Sequence, residues 1–111
     1  MARPGFIELP VSDIEAAKNF YTRAFGWDLT EFGPTYACTM TGDVDIGLQG
    51  DSAEASDAPL PVITVADLAA ALAAVTSAGG RIVRPVFAFP GGRRFQFRDP
   101  HGNELAVMQA D

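Results

Sequence analysis

Apolar and polar residues alternate along residues 6–11, FIELPV, which places Ile7, Leu9 and Val11 on one face of a strand and Phe6, Glu8 and Pro10 on the other. The period then changes. Ile14, Ala17, Tyr21, Ala24 and Phe25 recur at helical spacing, with Glu15, Lys18, Asn19, Thr22 and Arg23 opposite, so the pattern predicts a helix covering a sheet. Ser12, followed three residues later by Glu15, reads as a capping box, and Gly26 ends the helix. Trp27–Phe32, Thr35–Met40 and Asp43–Gln49 follow as short strands, separated by the turn residues Gly33-Pro34 and Thr41-Gly42.

The same order returns in the second half. Leu60–Val65 reads as a strand, and Leu68, Ala71, Leu72, Val75 and Ala78 form the buried stripe of an alanine-rich helix closed by Gly79-Gly80. Arg81–Phe87, Arg93–Arg98 and Glu104–Gln109 read as strands, broken by Phe89-Pro90-Gly91-Gly92 and by Asp99-Pro100-His101-Gly102. The likeness extends to identity. Val11–Trp27 laid over Val65–Arg81 matches at Val11/Val65, Asp13/Asp67, Ala16/Ala70, Ala17/Ala71, Thr22/Thr76, Ala24/Ala78 and Gly26/Gly80, which include the helix-start acid and the closing glycine. The fold class expected is therefore α+β: two βαβββ modules, about 5–50 and 60–110, joined by the small, polar linker 50–59 into one domain over 1–111. Neither unit buries its helix face well alone. Joined in one curved mixed sheet with the helices on the convex side, they would leave a concave surface.

Composition narrows the function. A chain of 111 residues that is 48% hydrophobic and 20% charged suits one ordered domain. A net charge of −6 gives no overall basic footprint, which argues against nucleic acid and anionic membranes as partners. The single cysteine, Cys38, excludes an internal disulfide, and no apolar run suits a signal peptide or a bilayer span, so a cytoplasmic protein is expected.

The motifs LPVSD, FYTRAFGW, SAGG, PGGRRF and FRDPHGNELAV, in that order on a duplicated unit, resemble the vicinal oxygen chelate superfamily, which includes glyoxalase I, the bleomycin- and fosfomycin-resistance proteins and extradiol dioxygenases. The resemblance covers essentially the whole chain. It implies the glyoxalase/bleomycin-resistance fold and, in small members, a homodimer. It does not imply one activity, because the fold hosts lyases, transferases, oxygenases and drug binders. The metal ligands of the family would fall at Phe6, at Leu60, at Ala106 and in the Asp43–Gln49 strand, at Gly47 or, with a short register shift, Asp45. Phe6, Leu60, Ala106 and Gly47 offer no donor. Composition agrees, since one His and one Cys are a poor supply of the usual transition-metal ligands. The expectation is a site with no metal and no cofactor.

Among the remaining polar residues Glu8 stands out, because it shares a strand face with Phe6. It is a candidate general base or hydrogen-bonding group, with pairing to a nearby Arg as the plain alternative. Glu104 lies two residues before Ala106 on the same face, and Arg94 and Gln96 alternate against Phe95 and Phe97. Trp27, Phe32, Tyr36, Phe87 and Phe89 are candidate pocket aromatics, weighed against ordinary core roles. His101 reads as a turn residue, Cys38 as a small core residue, and Gly91-Gly92 as a hairpin turn rather than a phosphate loop. The expected ligand-binding set is thus Phe6, Glu8, Trp27, Tyr36, Gln96, Glu104 and Ala106, around a small apolar or aromatic molecule. The alternatives are a lyase or isomerase acting through Glu8 and Glu104 or a non-standard divalent metal site, and a module working through protein contacts.

Overall fold

The computed structural model describes residues 2–111. Its class is α+β, with two βαβββ modules that mix parallel and antiparallel pairing. The compact units are Phe6–Leu60 and Pro61–Asp111, the latter joined by the first residues of the chain up to Gly5.

In the first module β1 (Arg3–Pro10) leads into α1 (Ile14–Phe25), and β2 (Thr30–Glu31), β3 (Tyr36–Cys38) and β4 (Asp45–Gln49) follow, in the spatial order β2-β3-β4-β1. β1 runs parallel to β4 with Glu8 opposite Gly47 and Leu9 opposite Leu48, while β3 runs antiparallel with Cys38 opposite Gly47. Two faces result. Ala37 and Leu48, both fully buried, share one face with Leu9, and α1 packs there, its Ile14 Cβ standing over Gly50. Glu8, Tyr36, Cys38 and Gly47 share the face opposite the helix.

Asp13, not Ser12, caps α1. Its backbone is extended (φ −140°) and its carboxylate accepts from the Ala16 amide at 3.1 Å, which puts the capping geometry one residue later than the Ser12–Glu15 spacing suggests. Glu15 pairs instead with Lys18. Gly26 takes the left-handed conformation (φ 71°) that ends the helix. The buried stripe is also turned from its expected position. Ile14, Ala17 and Tyr21 are half-buried as the spacing predicts, but Lys18 joins them, ion-paired with Glu31, and Ala24 and Phe25 are exposed. Trp27 does not begin a strand. Its carbonyl accepts from the Thr22 hydroxyl at 3.2 Å and its ring stacks on Tyr21 at 5.1 Å, so residues 27–29 form a return loop and β2 is only two residues long.

The second module repeats this plan. β5 (Leu60–Thr64), α2 (Leu68–Ser77), β6 (Arg81–Phe89), β7 (Gly92–Arg98) and β8 (Glu104–Ala110) are arranged β5-β8-β7-β6, with β5 parallel to β8 as β1 is to β4. α2 is rich in alanine, the best helix former, and Asp67 caps it through the Ala70 amide at 3.0 Å. A further tie comes from β8: Gln109 Oε1 accepts from the Leu68 amide at 2.8 Å, satisfying a helix-start N–H from outside the helix. Leu68, Phe95 and Val107 form the buried core beneath α2, with Leu72, Val75, Ile82 and Phe97 packed around them. Of the five residues expected in the α2 stripe only Leu68 is fully buried; Ala71, Leu72 and Val75 are half-buried at the margin of the core, and Ala78, at the end of the helix, is exposed.

β6 departs from regularity. Ile82 opposes Phe97, Arg84 opposes Gln96 and Phe87 opposes Arg94, with a register shift in each interval. Val83 and the Pro85–Val86 pair therefore carry surplus residues, the geometry of two β-bulges. Proline suits such a place, since it has no N–H to give to a ladder. Among the described residues no helix is long and apolar enough to cross a membrane.

Candidate functional site

In each module the sheet face turned away from the helix is where buried polar side chains collect. The first module places Glu8, only 8% exposed, beside Tyr36, whose hydroxyl lies 3.5 Å from Glu8 Oε2. Gly47 makes this approach possible. A Cβ there would collide with the Tyr36 hydroxyl and lie 2.9 Å from its Cζ and 3.5 Å from Glu8 Cγ. Phe6 lies on the same face of β1, opposite Asp45.

Asp45 serves the turn between β3 and β4. Its Oδ1 accepts from Thr39 Oγ1 at 2.7 Å and from the Thr41 amide and hydroxyl at 2.8 Å each, and its Oδ2 accepts from the Gly42 amide at 3.2 Å. Burial pushes the carboxyl pKa up, but the hydrogen bonds from Thr39, Thr41 and Gly42 outweigh it and hold it below the ordinary aspartate value. Cys38 nearby is shifted the other way: burial, and then the charge of Asp45, raise its thiol above the usual range. A thiol so placed stays protonated at neutral pH and is not an activated nucleophile.

The second module carries a polar row along β7 and β8. Arg94 and Gln96 are 7% and 6% exposed. Arg94 Nη2 donates to Gln96 Oε1 at 3.2 Å, Gln96 Nε2 donates to Glu104 Oε2 at 2.6 Å, and Arg98 pairs with Glu104 Oε1 at 3.4 Å while donating to the Gly102 carbonyl at 2.7 Å. Ala106, fully buried, stands opposite Gln96 on this face. Beside the row, the Arg84 guanidinium lies 3.6 Å above the Phe87 ring, with Arg94 5.3 Å from Phe87 and 5.8 Å from Phe89. His101 lies in the turn between β7 and β8, exposed, and that turn is organised by Asp99, which accepts from the His101 and Asn103 amides and from the Asn103 side chain. These bonds, those of Asn103 foremost, hold the Asp99 carboxyl below its ordinary value.

Of the residues expected to bind a ligand, the structure thus brings Glu8 and Tyr36 together in one module, and Gln96, Glu104 and Ala106 in the other. Trp27 instead joins Tyr21 and Phe25 in an aromatic stack on α1. Arg84 lies on this face too, although it is not among the residues expected there. Simple alternation puts it on the face of Ile82, and only the bulge turns it over. A signal was nonetheless present, for Arg81 to Arg98 contains five arginines and no acidic residue.

The register also decides between Asp45 and Gly47. Ala106 pairs in parallel with Val62 of β5; the repeat sets Val62 against Glu8 of β1, and Glu8 pairs with Gly47. Gly47 is therefore the counterpart of Ala106, and the space above it is taken by the Tyr36 phenol. Phe6, Gly47, Leu60 and Ala106 present no donor, Asp45 is committed to its turn, and among the described residues no group of three or more His, Cys, Asp or Glu side chains comes together. This donor set does not fit the divalent ion after which the chelate superfamily is called.

The sequence model of the Glyoxalase/Bleomycin resistance protein/Dioxygenase superfamily matches residues 3–107. Two curated proteins named "Putative glyoxylase CFP32", from Mycobacterium bovis and Mycobacterium tuberculosis, are each 29% identical over 119 aligned positions that cover 97% of this chain. The chain spans about half of their length, 46%. Among solved structures, a hypothetical protein from Bacillus halodurans superposes with a TM-score of 0.82 at 15% identity, covering 99% of this chain and 95% of that one. Methylmalonyl-CoA epimerase from Mycobacterium tuberculosis superposes with a TM-score of 0.76 at 16% identity, covering 97% and 87%. At such identities the likeness is one of fold.

Proposed function

The chain belongs to the Glyoxalase/Bleomycin resistance protein/Dioxygenase superfamily, and from that premise we propose that it binds a small, partly apolar or aromatic molecule on the sheet faces turned away from its helices, without a metal ion. One observation carries this reading. Glu8, Arg94 and Gln96 are buried polar side chains on faces that the apolar cores do not use. A few polar groups held in place among apolar and aromatic ones are what a small-molecule site requires, and each module offers such a face. The unsuitable donor set at Phe6, Gly47, Leu60 and Ala106 supports the absence of a metal.

The test is an NMR titration of the labelled protein with a panel of small aromatic and aliphatic compounds, run beside elemental analysis of the purified protein. Saturable shifts at the amides of Glu8 and Tyr36, or of Gln96 and Ala106, are the expected result. Stoichiometric bound metal, or a panel that shifts only the helix-side residues, overturns the reading.

A second reading, a lyase or isomerase, has one observation in its favour: the Glu8 carboxylate and the Tyr36 hydroxyl stand 3.5 Å apart, a geometry suited to taking and returning a proton. Under it, Glu8→Gln abolishes turnover of a substrate and leaves binding within a few-fold. Loss of binding and turnover together argues for Glu8 as a binding group. Turnover of a glutathione hemithioacetal that a chelator abolishes would refute metal-free binding and favour the enzyme reading through a non-standard divalent metal site.

A further inference from the structure

Charge is distributed unevenly along this chain. Arg81, Arg84, Arg93, Arg94 and Arg98 all lie in the β6–β7 hairpin, where no acidic residue occurs, while the rest of the chain holds all fourteen acids and only Arg3, Lys18 and Arg23 on the basic side. An acidic protein has therefore gathered five of its eight basic residues in one hairpin.

Backbone irregularity then decides which of these arginines share a face. In an uninterrupted strand Arg84 would point with Ile82 into the core beneath α2. The bulge at Val83 sets Arg84 opposite Gln96 instead, and the bulge at Pro85–Val86 sets Phe87 opposite Arg94; Phe89 then follows opposite Gly92. Arg84, Phe87 and Phe89 consequently join Arg94 and Gln96 on the face turned away from the helix. Val83 and Val86, which the bulges leave over, are both 40% exposed. Bulges that re-aim side chains recur beside functional sites. Here they assemble two guanidinium groups around one aromatic ring, next to a buried amide whose orientation Glu104 fixes through a 2.6 Å hydrogen bond.

From this we infer that the ligand is a small organic anion, with its oxyanion group read by Arg94, Arg84 and Gln96 and its apolar or aromatic body laid against Phe87 and Phe89. The inference rests on the binding function proposed above and adds to it the charge of the ligand. A planar guanidinium matches a carboxylate or a phosphate through paired N–H donors, and its ring contacts hold it in place before the ligand arrives. A buried setting weakens screening by salt. The acidic remainder of the chain favours a small anion over a polyanion, which would meet repulsion beyond the hairpin.

The probes are benzoate, phenyl phosphate, inorganic phosphate and the neutral isostere benzamide, titrated into the labelled full chain at constant ionic strength. Chemical shifts of the backbone amides and arginine Nε–H groups are recorded. Benzoate or phenyl phosphate should bind at least about tenfold more tightly than benzamide, the cost of one charge-assisted contact or more, with shifts at Arg84, Arg94 and Gln96. The benzoate and phenyl phosphate arms separate a carboxylate site from a phosphate site. Arg84→Gln, at a half-buried position, should erase the preference for the anion over benzamide; Arg94→Lys, with folding checked by circular dichroism, should weaken it. Benzamide binding as tightly as benzoate at the same residues overturns the inference and leaves the binding function standing. Inorganic phosphate binding as tightly as phenyl phosphate overturns the role given to Phe87 and Phe89. Failure of every probe to bind overturns both readings.

Discussion

Replacing Asp45 tests whether one carboxylate holds the turn between β3 and β4. In Asp45→Ala four hydrogen bonds vanish: those from Thr39 Oγ1, the Thr41 amide, the Thr41 hydroxyl and the Gly42 amide. Their worth is unequal. Thr41 and Gly42 are exposed, so water replaces the lost acceptor, whereas Thr39 is buried and its hydroxyl loses a partner that water does not readily supply. Hydrogen bonds to a charged acceptor contribute about 1.5–3 kcal/mol each and do not add, so the substitution should cost about 2–4 kcal/mol, most of it from the Thr39 contact. Asp45→Asn preserves the shape but can set an N–H toward the Gly42 amide, at a cost of about 1–3 kcal/mol. The pH dependence gives a second readout. Because folding lowers the Asp45 pKa, the unfolded chain binds more protons over the interval between the two values, and stability rises with pH there. The contribution is fully present above the unfolded aspartate pKa of about 4 and is lost as pH falls through the folded value. Urea unfolding of the wild type and both variants at pH 7, 5 and 3.5 measures this. The variants should differ most from the wild type at pH 7 and converge with it in acid. Midpoints within 0.5 M of the wild type at pH 7, or an unchanged gap at pH 3.5, would refute the turn argument.

Other outcomes follow from the packing. Gly47→Ala should displace the Tyr36 ring from Glu8 and cost about 1–3 kcal/mol by overpacking; a crystal structure with Tyr36 in place would contradict the contact. Leu68→Ala should cost about 2–5 kcal/mol and Leu72→Ala clearly less, since Leu68 alone of the two is fully buried; equal unfolding midpoints would remove that distinction. Two copies of the chain are expected to pair, and Phe20 and Phe25, both more than half exposed on α1, are consistent with a covered surface; light scattering that returns the 11.7 kDa of one chain at micromolar concentration would exclude it.

How far the sequence could be read depended on how local each determinant was. The module plan was legible because a duplication repeats its strongest signals, the cap acids Asp13 and Asp67 and the glycines after the helices. The faces of β1 were legible too: that strand is regular through its pairing with β4, so alternation alone separates Glu8 from Leu9. In β6 alternation failed at Arg84, since a bulge is a matter of how many residues the partner strand sets against it, which one strand's sequence does not record. The ring of Trp27 went to α1 and not to a strand face because the loop after Gly26 turns back, a geometry set by the Thr22 hydroxyl and by stacking on Tyr21. Asp45, which a short register shift would make a metal-ligand position, is instead taken up by the turn around it, whose four donors come from residues that strand alternation does not bring together.

The bulges of β6 also bear on how this hairpin tolerates insertion and deletion. β6 is longer than the ladder it serves, and Val83 is a residue against which β7 sets no partner. Deleting Val83 would bring Arg84 into the next rung after Ile82, still opposite Gln96, so the chain would shorten while every other residue of β6 kept its face. A deletion anywhere in β7, whose pairs with β8 run without a break from Gly92 to Arg98, would instead turn each following side chain from core to open face. Two adjacent strands of one hairpin therefore differ sharply in what a single lost codon does, and length variation in this part of the chain belongs on the β6 side.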